Sequence, residues 1–165
     1  MRMVLSILVG NTSGVLSRVS GLFSRRGYNI DSLTVGESQI EGISRMTVVA
    51  SGDEQTLEQI KRQLSKLEDV KEIVELTADA SVCRELILVK VAADQAQRQG
   101  IIAVADIFRA KVVDVSVDSL MIELTGNQAK INAFMNLLEG YEILELVRTG
   151  ITGLARGTDI AEFIE

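Results

Sequence analysis

Val9-Gly10-Asn11-Thr12-Ser13-Gly14-Val15-Leu16-Ser17-Arg18-Val19 is the stretch whose reading decides the fold. The apolar run Met3 to Val9 before it reads as a strand, and a helix begins directly after a short polar loop. Thr12 and Ser13 are N-cap candidates, because a hydroxyl can accept from the free N–H groups of a first helical turn. Gly14 lets the backbone approach whatever sits above the loop. A helix start presents unpaired donors and the positive end of the dipole, and so receives a carboxylate or a phosphate. An ordinary strand, turn and capped helix would look the same. The rest of the chain must choose between the two.

The helix runs from about Gly14 to Arg26, with Val15, Leu16, Val19, Leu22 and Phe23 on one face and Gly27 as its C-terminal stop. Tyr28 to Val35 and Ser44 to Ser51 are extended and flank the polar turn Gly36 to Gly42, which makes a hairpin. Asp53 opens a second helix with Leu57, Ile60, Leu64 and Leu67 inward, and Val70 to Leu76 closes the set. The order is β-α-β-β-α-β, the ferredoxin-like arrangement.

The pattern then returns after a linker at about 77–82. Glu85 to Val91 is a strand and Asp94 to Phe108 a helix with Ile101, Val104, Ala105 and Phe108 inward. A hairpin follows, Lys111 to Val117 and Leu120 to Leu124. The helix Asn127 to Leu138, with Ile131, Phe134, Leu137 and Leu138 inward, and the strand Tyr141 to Val147 complete it. The fold class is therefore α+β, two βαββαβ domains in tandem, at 1–77 and 83–165. The tail after Arg148 is glycine-rich and irregular and ends in the acidic Asp159 to Glu165. Helices on one sheet face leave the other to be covered, and self-association is the simplest cover.

Across 165 residues, 47% are hydrophobic and 24% charged, a globular composition. The net charge of −6 and the lack of a basic cluster disfavour nucleic acid as a partner. Histidine is absent, which removes the commonest general base and zinc ligand. Cys83 is the only cysteine and reads as a free buried thiol. No nucleophile, base and orienting group assemble, and no carboxylates fall at metal spacing, so neither a catalytic residue nor a metal site is expected. The apolar run at the N-terminus leads straight into the helix and lacks a cleavage region, so the expected location is the cytoplasm, away from any membrane.

Gly14 is followed by Val15-Leu16, not by Lys and Ser or Thr, so the loop is not a nucleotide phosphate loop. A small zwitterion fits better. Asn11 and Asn29 each carry a donor and an acceptor, the mixture that an amino acid's carboxylate and ammonium require. The two asparagines sit at opposite ends of their strands and meet only across a two-fold dimer.

Asn11-x-x-Gly14-Val15-Leu16-Ser17-Arg18-Val19-x-Gly21-Leu22-Phe23-x-x-Arg26-Gly27-Tyr28-Asn29-Ile30-Asp31-Ser32-Leu33-Thr34-Val35 closely resembles the ACT domain of the acetolactate (acetohydroxyacid) synthase regulatory subunit. The resemblance continues through Ser44-Arg45-Met46-Thr47, Arg84-Glu85-Leu86, Ile107 to Val115 and Arg148-Thr149-Gly150-x-x-Gly153-Leu154-x-Arg156-Gly157. Gly10 departs from it, standing where many relatives carry an acidic residue.

The resemblance implies a first domain of ACT type that pairs edge to edge as a homodimer. It implies feedback inhibition by a branched-chain amino acid, usually valine, bound at that interface. Asn11, Gly14, Val15 and Leu16 of one protomer would form the effector site with Asn29 and Ile30 of the partner. It also implies activation of a separate catalytic large subunit. Thiamine diphosphate, Mg²⁺ and usually FAD belong to that subunit, and no cofactor is expected in this chain. Two other readings are a stand-alone amino-acid-binding ACT module serving another enzyme and a small enzyme on the same scaffold, since the fold alone does not choose.

Overall fold

A computed structural model describes residues 1–157; the acidic stretch Asp159 to Glu165 lies outside the described residues. The described chain divides into two compact units, one of residues 1–83 together with 151–157, the other Arg84–Gly150. The reading from sequence placed everything from 83 to 165 in the second domain. The structure instead groups residues 151–157 with the first unit.

In the first unit β1 (Arg2–Gly10), α1 (Val15–Arg25), β2 (Asn29–Glu37), β3 (Ile43–Ser51), α2 (Glu54–Ser65) and β4 (Val70–Glu75) follow in order. The sheet order is β2-β3-β1-β4, with every pairing antiparallel. Met3, Leu5, Ile7 and Val9 of β1 alternate with period two into one core, with Met46, Val48 and Ala50 of β3 beside them. Val19, Leu22 and Phe23 of α1 and Leu57, Ile60 and Leu64 of α2 cover that face.

Gly27, at φ +69, ends α1 in a Schellman motif. The N–H of Tyr28 donates to the carbonyl of Phe23 (2.9 Å) and that of Gly27 to Ser24 (3.2 Å). The accompanying apolar contact is the edge-on packing of the Phe23 and Tyr28 rings, with centroids 6.4 Å apart.

The opposite sheet face differs from expectation. Ser6, Leu8, Thr47 and Val49 are already buried in the single chain, so the centre of this face has no need of a second copy. Part of the cover is the chain's own return. The N–H of Ile151 donates to Ser32 Oγ (3.0 Å), and the carbonyl of Ile151 accepts from Thr34 Oγ1 (3.5 Å). The tail read as irregular contains β9 (Thr152–Ala155), which pairs with β5 (Ser81–Ala92). Gly153 makes this possible, because a Cβ there would lie 2.8 Å from the Val82 carbonyl and 2.6 Å from the Sγ of Cys83. Cys83 is half-buried.

The second unit repeats the topology. Strands β5, β6 (Lys111–Val115), β7 (Ser119–Gly126) and β8 (Ile143–Arg148) have the order β6-β7-β5-β8, with α3 (Gln95–Ile107) and α4 (Gln128–Leu137). Its core joins Ile87, Val89 and Val91 to Leu120, Ile122 and Leu124, under Ile101, Ala105, Ile131 and Phe134. Leu137, read as inward, is exposed. No helix among the described residues is long and apolar enough to cross a membrane.

Candidate functional site

β1 delivers the chain into the loop before α1, and two backbone bonds fix the loop's entry. The N–H of Gly10 donates to the carbonyl of Asp69 (2.9 Å), and that of Asn11 to the carbonyl of Gly42 (2.7 Å). Gly14 then occupies the N-cap position at φ 84, ψ −2, a left-handed conformation that favours glycine. No side chain caps α1. Thr12 and Ser13, the caps expected from sequence, lie outside the helix, and the capping position falls to a residue with no side chain to offer. The Val15 N–H reaches the carbonyl of Thr12 (3.4 Å), and that of Arg18 the carbonyl of Gly14 (3.0 Å). The N–H groups of Leu16 and Ser17 have no acceptor among the described residues.

Each of the other three helices has a side-chain cap on one first-turn N–H. Asp53 accepts from the Thr56 N–H, and Asn127 from that of Lys130. Asp94 accepts from the Gln97 N–H (2.8 Å) while the Gln97 side chain accepts from the Asp94 N–H (3.2 Å), a complete capping box.

Arg18, one turn into α1, braces the open end. Its Nε donates to Asp69 Oδ2 (2.5 Å) and its Nη2 to Asp69 Oδ1 (3.1 Å) and to the Ser13 carbonyl (3.4 Å). The Arg18 hydrogen bond holds the Asp69 carboxyl below the usual carboxylate range, and the same bond holds the guanidinium above its ordinary value. The Nη1 group lies 2.9 Å from where a Cβ on Gly14 would be.

The structure brings Asn11, Gly14, Val15 and Leu16 to this one end. Asn11 and Gly14 are exposed and Val15 is buried, whereas Leu16, read as part of the inward face, is 49% exposed. Asn29 and Ile30 are elsewhere. Asn29 pairs in register with Ser51, which pairs with Arg2, at the opposite end of the nine-residue β1 and roughly 30 Å along the strand direction from Asn11. Ile30 is half-buried against the core. Asn29 Nδ2 donates to Asp31 Oδ1 (2.6 Å), and the Ser51 hydroxyl donates to Asp31 Oδ2. Asp31 is the bulged residue of β2, between the register positions of Ile30 and Ser32.

Thus one end of the sheet offers donors for a carboxylate, and the other offers acceptors for an ammonium. The strand that carries the second set, β2, is one of the sheet's two edge strands, and a second strand can join an edge. Sequence reasoning missed the Arg18–Asp69 brace and the Asp31 anchor. Asp69 stands 51 positions from Arg18, and only the pairing of β4 with β1 brings them together. No group of three or more carboxylates and cysteines able to hold a metal occurs among the described residues.

Comparison with known proteins bears on both units. Residues 5–72 match a family model described as the AHAS small subunit-like ACT domain, and residues 84–157 one described as the small subunit of acetolactate synthase. The acetolactate synthase small subunit of Mycolicibacterium smegmatis is 52% identical over 153 residues, covering 93% of this chain and 90% of its own. That of Haemophilus influenzae is 48% identical over 158 residues, covering 95% and 97%. The crystal structure of the Thermotoga maritima small subunit superposes with a TM-score of 0.88 at 41% identity, covering 96% of this chain and 99% of that one.

Proposed function

We propose, on the premise that this chain belongs to the acetolactate synthase small-subunit family, that it is the subunit through which valine restrains its catalytic partner. The valine carboxylate takes the free N–H groups at the start of α1, beside Asn11 and over Gly14. Two ACT domains pair through β2, so that Asn29 and Ile30 of one protomer face the Gly14 loop of the other, and Leu16 and Ile30 line the apolar part of the pocket. The partner is the large subunit, which supplies the thiamine diphosphate, Mg²⁺ and FAD chemistry, and the small subunit also activates it.

The observation that carries this reading is the uncapped N-terminus of α1. It is the one helix start among the described residues with no side-chain acceptor, and its left-handed glycine leaves the first-turn donors accessible. A carboxylate completes such an end by hydrogen bonds and by the helix dipole. The exposure of Leu16 supports the same reading, because an apolar side chain beside the anion site offers a wall for a branched aliphatic group. Asn29 and Asp31 supply acceptors that suit an α-ammonium.

Valine regulates only if it binds one arrangement of the subunit pair better than another. A pocket shared by two protomers has that property, since filling it holds the two domains in one relation. Reconstitution with the large subunit tests the proposal. Asn29→His should leave activation of acetolactate formation largely intact and remove valine inhibition. Loss of activation and inhibition in parallel would overturn the separation of sensing from activation.

A further inference from the structure

We infer that the Arg18–Asp69 pair is a positioning device that holds the Gly14 loop in its effector-receptive geometry and contributes little to the stability of the chain. The inference rests on the effector site proposed above and adds a pair of residues outside the site itself.

Asp69 grips the loop from two sides. Its backbone carbonyl takes the N–H of Gly10, where the loop begins, and its carboxylate takes two donors from Arg18, where the helix has begun. The same guanidinium reaches back to the carbonyl of Ser13. The residues between Gly10 and Arg18 are therefore spanned by one acidic residue and one basic residue. The third guanidinium nitrogen rests against Gly14, in the space that any side chain at that position would fill. Glycine at 14 thus serves two purposes, a left-handed backbone and room for Arg18.

Energetics separate positioning from stability. The two side chains are 49% and 20% exposed, and water and salt screen the attraction of a pair in such surroundings, so little of it reaches folding stability. Geometry is where the pair is strong. Two parallel bonds from a planar guanidinium to a carboxylate fix direction as well as distance, which a lysine ammonium cannot do. A loop braced in this way keeps the first-turn N–H groups aimed at one point before the ligand arrives, and preorganisation of that kind appears in affinity.

The test uses the full chain with its large subunit and the variants Arg18→Lys, Asp69→Asn and the double variant. Valine affinity is read by calorimetry and by inhibition, alongside the melting temperature of the free subunit. Each single variant should weaken valine by roughly three- to tenfold with the melting temperature unchanged, and the double variant should be no weaker than the worse single one. Activation of the large subunit should stay at its wild-type level. Unchanged valine affinity in both singles would overturn the inference and leave the effector site standing. So would additive losses in the double variant, because the two residues would not then act as a unit. A lowered melting temperature with unchanged affinity of the folded protein would assign the pair to stability and also overturn it. Wild-type protein that binds no valine would overturn the effector reading itself, and the inference with it.

Discussion

The two halves of this chain share one topology and differ where their first helices begin. Both follow β-α-β-β-α-β, and both sheets have the same strand order. In the second half the start of α3 is closed by Asp94 and Gln97, each side chain bonded to the other's backbone. In the first half the start of α1 is left open by Gly14. A carboxylate from within the chain thus occupies in one half the place that a ligand carboxylate would take in the other. The fold supplies two equivalent ends. On the proposed reading, one capping residue decides which of them receives the effector, and like charge turns a second carboxylate away from Asp94.

Substitution at Gly14 should break this contrast with the largest effect. Gly14→Ala adds a Cβ at φ 84 against Arg18, with a backbone cost of about 1–2 kcal/mol, and should weaken valine by about tenfold or more. Gly14→Asp adds a negative charge at the anion site and should abolish valine inhibition in reconstituted enzyme. Equal effects of the two would mean that strain, not charge, governs the site. The matching change in the second half, Asp94→Ala, removes a cap and should cost about 1 kcal/mol of stability in a denaturant titration. It should leave valine inhibition unchanged, and a lost valine response would erase the proposed distinction between the halves.

Much of the architecture is legible without coordinates. The caps Asp94 and Phe108 of α3 stand at the residues where periodicity places that helix's ends, because the apolar stripe and the capping residue agree. Gly27 likewise announces the end of α1. The opening of α1 is not legible, because hydroxyl residues at 12 and 13 satisfy a local rule while the backbone obeys a distant one. The Gly14 loop is held by Asp69 and Gly42, which no local pattern links to it. Leu16 and Leu137 widen an apolar stripe on paper, yet each lies too far around its helix to reach the core. The return of Ile151 onto β2 depends on hydrogen bonds to Ser32 and Thr34 that span more than a hundred residues, and no periodicity reports them.

The smallest expected effect is one of pH. Arg18 depresses the Asp69 pKa, so the pair's contribution is complete above the ordinary carboxylate value of about 4 and is lost as pH falls through the lower folded value. Valine affinity should therefore be flat between about pH 8 and pH 5. A midpoint inside that range would assign the titration to a group other than Asp69.

Asn11 allows the most direct test of the claim that the open end of α1 is the sensor. Its side chain makes no hydrogen bond within the described chain, and its backbone bond to Gly42 does not depend on residue type. Asn11→Ala therefore alters the site and leaves the loop. The measurement is calorimetric titration of valine into the full-length variant bound to its large subunit. The account predicts a loss of affinity of at least about tenfold, from a missing hydrogen bond to a charged ligand, with the melting temperature of the free subunit unchanged. Wild-type affinity in Asn11→Ala would contradict it and place the effector away from the Gly14 loop.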